Sequence, residues 1–122
     1  MNNRTIKFRA WDKRNSEIRD WKWLSTASYT MQFSLFEDES FVIQQFTGLL
    51  DKNGKEIYEG DIVREWIVED RPSDLIYIVG FNTGHFTLTD TKSGYDKMGI
   101  WNVNENLDII GNIYSNPELL KT

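Results

Sequence analysis

A single histidine, His85, is the one side chain in this 122-residue sequence whose ordinary pKa suits proton transfer near neutrality. To act as a general base it needs an orienting partner, and to hold a metal it needs ligands at set spacings. No Asp or Glu stands at such a spacing from it, so it reads as a surface histidine on an alternating stretch. Glu59 and Asp61 flank Gly60, a spacing at which two carboxylates could share a cation or divide acid and base roles. Acids in turns more commonly accept hydrogen bonds from their own backbone, which is the plainer reading here. The Gly80–Gly84 run GFNTG lacks the Lys-Ser/Thr pair that would meet phosphate and metal, and no Ser stands in a G-x-S-x-G elbow. With no Cys, there is no disulfide, thiolate zinc site or cysteine nucleophile. Catalysis has no positive support, and neither a cofactor nor a metal is expected.

Binding chemistry has more to build on. Arg19-Asp20-Trp21-Lys22-Trp23 interleaves rings with cations, as a single-stranded nucleic-acid surface does when bases stack and phosphates meet charge. Read as a strand, it puts Trp21, Trp23 and Arg19 on one side and Lys22 on the other. Arg4, Lys7 and Arg9, with Lys13 and Arg14, could extend that surface, although such a run also describes a solvated strand face. The charge balance of 14 basic and 19 acidic side chains, net -5, repels a duplex on average. Five Trp, five Tyr and seven Phe point either to a dense aromatic core, with Trp21, Trp23, Phe33 and Phe36 folded back over the barrel, or to rings exposed for a partner, since one small barrel has room for only part of them. Trp21, Trp23, Phe33 and Phe36 are therefore the candidate contacts for a protein partner, a second copy included. Arg4, Lys7, Arg9, Arg19 and Lys22 are the candidates for the nucleic-acid alternative.

The elements that must position these residues read as strands. Thr5 to Trp11 alternates, with Ile6, Phe8 and Ala10 opposite Lys7 and Arg9. Met31, Phe33 and Leu35 alternate, and Phe41 to Thr47 leads into Asp51-Lys52-Asn53-Gly54, a tight-turn signal. Glu59-Gly60-Asp61 turns again before Ile62 to Val68. Asp70 to Asp74, with Pro72, reads as a loop, Leu75 to Phe81 as a buried strand, and Asn82-Thr83-Gly84 as a reversal. His85 to Thr89 alternates with Phe86 and Leu88 inward and Thr87 outward. Asp90 to Gly99 reads as a mobile loop, and Ile100-Trp101 and Leu107 to Tyr114 as closing strands, with Gly111 at a bulge or a close approach. Asn116-Pro117-Glu118 starts a short helical turn. Phe8, Phe46, Ile57, Ile62, Val79, Phe81, Phe86, Ile110 and Ile113 are the expected core, and a positive φ is expected at Gly54, at Gly60 or at both. The class is mainly β, a small barrel rather than layered α/β.

Three blocks, Ile6–Lys13, Gln45–Trp66 with the run DKNGKEIYEGDIV, and Ile109–Leu120, resemble the YopX family, encoded mostly by phages and prophages of Firmicutes. The resemblance implies a β-rich α+β fold with a small SH3-like barrel in the second half, additional N-terminal strands and a short C-terminal helical turn. It carries no activity and no catalytic residues. Leu50 stands where the family more often has a basic residue. At this length one domain over 1–122 is expected, burying roughly two-thirds of its unfolded surface. The charged first residues and the lack of a long apolar run lead us to expect a soluble, cytoplasmic protein without a leader or membrane span.

Overall fold

The structure is a computed structural model that describes residues 5–26, 39–68, 71–82, 84–94, 96–97 and 106–120. The expected strand at Met31, Phe33 and Leu35, the pair Ile100-Trp101, and the residues Arg4, Phe33 and Phe36 lie outside the described residues. Two compact units divide the chain, Met1–Phe46 and Thr47–Thr122.

In the first unit, β1 (Phe8–Asp12) pairs antiparallel with β2 (Glu17–Arg19), Asp12 lying opposite Glu17 and Ala10 opposite Arg19. On its other side β1 pairs with the opening of β3 (Phe41–Leu50), Phe8 opposite Gln45 and Asp12 opposite Phe41. Alternation turns Phe8 and Ala10 to one face, and Ile43 and Phe41 join them from β3. Over that face lies a helix, α1 (Trp21–Thr26), which buries Leu24 and half-buries Trp23. This corrects the strand expected through Trp21–Trp23. Asp20 accepts the Trp23 amide at 2.9 Å as an N-cap, and the Ser25 and Thr26 hydroxyls donate to carbonyls of the turn before them.

The second unit holds the rest of β3, β4 (Glu56–Tyr58), β5 (Asp61–Val68), β6 (Arg71–Asn82), β7 (His85–Asp90), β8 (Asp96–Lys97) and β9 (Leu107–Asn112), then a 3-10 turn at Pro117–Leu120. The end of β3 makes a hairpin with β4, while the other strands form an antiparallel sheet in the order β8-β7-β6-β5-β9, curled into a half-barrel. Ile57 of β4 packs with Val63, Tyr77, Val79, Phe86, Leu88 and Leu107 of that sheet in one core cluster. The β-rich fold and the helical turn at Pro117 are as expected. Phe46, Ile57, Ile62, Val79 and Phe86 are buried, whereas Phe8, Ile110 and Ile113 are half-buried.

Four local expectations are corrected. The Pro72 segment belongs to a strand: Pro72 lies opposite Trp66, where register shifts accommodate a residue without a ladder donor. Phe81 shares its alternation with Val79 but lies at the end of β6, 50% exposed, its ring edge-on to Phe86 at 5.1 Å. Thr87 is buried rather than outward, and it sits opposite Gly80, which presents no side chain. Asp96 and Lys97, placed in a loop, pair with Thr89 and Leu88 as β8.

Gly111 marks both a bulge and a close approach. The β5–β9 register slips between Ile62 and Val63, and a Cβ on Gly111 would stand 2.7 Å from Leu119 Cδ1 and 2.9 Å from Asn116 Oδ1. The missing side chain lets the 3-10 turn lie against β9. The Asn116 side chain accepts the Asn112 amide there at 3.2 Å.

Candidate functional site

The hairpin tip between β3 and β4 gathers a set of polar contacts to its own backbone and to β9. Asp51 is buried, and its Oδ1 accepts the amides of Asn53 and Lys55 at 2.8 and 2.9 Å. Its Oδ2 accepts the Ile109 amide of β9 at 3.1 Å. Next to it the Lys52 amide donates to the Leu107 carbonyl at 2.8 Å, and Asn53 Nδ2 donates to Asp108 Oδ1 at 3.0 Å. The tip thus behaves as a short strand laid along β9, satisfying groups that a sheet edge would leave open. Gly54, at φ 83°, and Gly60, at φ 85°, take the left-handed conformations expected of them. Lys52 places its ammonium 3.4 Å from the centroid of the Trp66 ring, a close cation–π contact.

Of the Glu59 and Asp61 pair, Asp61 serves the turn. Asp61 is 2% exposed and its Oδ2 accepts the Tyr58 amide at 2.8 Å, closing the turn from β4 to β5. Among the described residues no group of three or more His, Asp or Glu could hold a metal ion. His85 lies at the start of β7, opposite Asn82 and half-buried.

In the first unit a further buried carboxylate, Asp12, organises the β1–β2 turn. It accepts the Arg14 and Asn15 amides, Asn15 Nδ2 at 2.8 Å and the Arg19 guanidinium at 3.1 Å. The Asn15 side chain foremost, opposed by burial and helped by Arg19, holds its carboxyl below the ordinary value. Arg19 also meets Glu17 at 2.7 Å and lies over the Trp23 ring at 5.1 Å. Arg9 donates to Gln44 Oε1 at 2.7 Å, and Lys7 lies 5.0 Å from the centroid of the Phe46 ring. Arg9 and Arg19, expected to meet phosphate in the nucleic-acid reading, thus direct donors to their own fold.

The helix separates the two tryptophans. Residues two apart on a helix point roughly 200° from one another, whereas on a strand they share a side. Trp23 turns inward against Phe41, with ring centroids 6.0 Å apart. Trp21 turns outward, 39% exposed, beside the Phe8 ring at 6.2 Å, and Lys22 is exposed next to it. Ile6, 55% exposed, precedes Phe8 by two residues. Leu50, 54% exposed, stands on the wall of an open groove of about 490 Å³ that runs from Gly48 to Gly54. Asp12 and Asp51 are the organising residues that residue type alone did not single out. The Asx-turn context of each, Asp followed by Lys-Arg-Asn and by Lys-Asn-Gly, was the available signal.

A curled β half-barrel whose buried carboxylates bind backbone defines a small β protein in which the acids serve the fold. Residues 7–121 match the family described as YopX protein, and the chain belongs to that family. Protein EF1440 from Enterococcus faecalis, known from a crystal structure, is similar over 98% of this chain and all of its own, with 26% identity and a TM-score of 0.66. No curated protein matches the sequence. Among the described residues no helix is long and apolar enough to cross a membrane.

Proposed function

We propose that this protein is a non-enzymatic accessory protein of phage or prophage origin, acting in the host cytoplasm by binding another protein, with a second copy of itself as the simplest partner. The contact surface is the outward side of α1, centred on Trp21, together with Phe33 and Phe36 of the sequence that follows the helix. The observation that carries this reading is the Trp21 ring: 39% exposed, it stands beside Phe8 instead of joining Trp23 in the core. An exposed ring with an apolar neighbour is a common contact in protein interfaces, where Trp is enriched. The absence of an enzymatic role rests on the buried carboxylates, since Asp12, Asp51 and Asp61 direct their oxygens to backbone amides. The phage origin rests on the family.

Sedimentation velocity at tens of micromolar tests the reading. The wild type should sediment as a dimer, and Trp21→Ser and Phe36→Ser should each give a monomer with an unchanged far-UV spectrum. A monomeric wild type removes self-association. A dimer indifferent to both substitutions removes this surface.

A further inference from the structure

We propose that Asn53–Gly54 is a site of spontaneous covalent modification, and that loss of the Asn53 amide releases the hairpin tip from the edge of β9. Asn53 is the one asparagine in the chain followed by glycine, and its side chain is exposed. In such a pair the backbone nitrogen of Gly54, having lost its proton to hydroxide, attacks Asn53 Cγ. An N–Cγ bond forms, the Cγ–Nδ2 bond breaks, and Nδ2 leaves as ammonia with a proton from water, giving a cyclic imide. Water then opens the imide at either carbonyl to leave aspartate or isoaspartate at 53. Glycine sets no side chain in the way, and nothing lies within 4 Å of where a Cβ on Gly54 would stand.

The folded tip works against this chemistry and is undone by it. The attacking nitrogen donates to the Asp51 carbonyl at 3.0 Å, and the amide under attack donates to Asp108 Oδ1 at 3.0 Å. Cyclisation therefore proceeds through local openings of the tip, which cost less than global unfolding. Once the amide is gone the tip cannot close as before: the donor facing Asp108 has become a carboxylate, and two like charges meet where a hydrogen bond stood. An isoaspartate would also insert an extra backbone carbon at the turn. When the tip lifts away, Lys52 N–H leaves the Leu107 carbonyl and Asp51 Oδ2 leaves the Ile109 N–H, so that stretch of β9 becomes an open sheet edge.

The full-length protein is aged at mildly alkaline pH and mapped by mass spectrometry, and the converted fraction is separated by ion exchange. Amide hydrogen exchange is then measured on that fraction and on Asn53→Asp and Asn53→Gln. Conversion should occur at Asn53 ahead of every other asparagine. The aged fraction and Asn53→Asp should lose protection at the Lys52 and Ile109 amides while the Val63 and Val79 amides keep theirs, and Asn53→Gln should keep both sets. No conversion at Asn53, or converted protein that protects Lys52 and Ile109 as the wild type does, overturns the proposal. Because the aged wild type is measured alongside, the outcome does not depend on either variant folding.

Discussion

Asp51 accepts three backbone amides with one carboxylate, two within its own turn and one from β9. Asp51→Ala should therefore cost about 2–4 kcal/mol, since each bond to a charged acceptor is worth more than a neutral one and the amides are left buried or unpaired. Asp51→Asn, which keeps an acceptor oxygen, should cost less. Urea denaturation of both variants checks this, and a cost for the alanine below about 0.5 kcal/mol would show that water replaces the carboxylate readily. Gly111 is the complementary case, a position that requires no side chain. Gly111→Ala should cost about 1–3 kcal/mol through overpacking against Leu119 and Asn116. Leu119→Ala in the same chain should recover part of that cost. Additive losses in the double variant would mean that the contact is not the reason glycine stands there. The sequence carried these two sites unequally. A glycine inside a strand pattern pointed to a bulge or close approach, but nothing local showed that the Asp51 side chain reaches a strand 58 positions away.

Elements with a strict period and punctuating turns were legible: β1, β7, the hairpin at Asn53-Gly54 and the turn at Pro117 all follow local chemistry. The helix α1 was not, because six residues are too few for a 3.6-residue repeat to show and Trp at i and i+2 imitates a strand face. Its N-cap, Asp20, has no Glu or Gln at the third position after it to complete a capping box and mark the start. Pro72 read as a breaker because a bulged register is a property of the pair β5–β6, not of the segment. The same pair supplies a pH dependence. Tyr77 on β6 donates its hydroxyl to Glu65 Oε2 on β5 at 3.1 Å, and burial, with the Glu65 charge behind it, pushes the phenol up to about 12. A group whose acid form is favoured by folding contributes stability in full below its unfolded value, near 10, and loses it as pH rises from there toward 12. Ultraviolet titration should therefore show a step ionising late, toward pH 12, and Tyr77→Phe should remove that late step and flatten the loss of stability above pH 10. A wild-type titration from which Tyr77→Phe removes no late step would contradict the Tyr77–Glu65 contact.

At the scale of the whole molecule, family membership and β-rich class were readable from three short blocks, whereas a partner was not, since partner choice depends on which rings remain exposed once the cores are filled. Charge belongs to this scale too, and it weighs against the nucleic-acid reading. The chain carries a net charge of -5, so a phosphate backbone is repelled at a distance, and any attraction has to come from a local cluster. The described members of that cluster are Lys7, Arg9, Arg19 and Lys22, and two of them spend guanidinium donors on the fold: Arg9 on Gln44, and Arg19 on Asp12 and Glu17. Stacking is halved as well, because α1 turns Trp23 into the core and leaves Trp21 outward without a second ring beside it on the same helix face. A labelled single-stranded oligonucleotide titrated at low and at physiological salt should accordingly show no binding that weakens as salt rises. Salt-dependent binding that Lys7→Gln with Lys22→Gln abolishes, and that Trp21→Ser weakens at both salts, would establish a nucleic-acid surface in place of the protein-binding one.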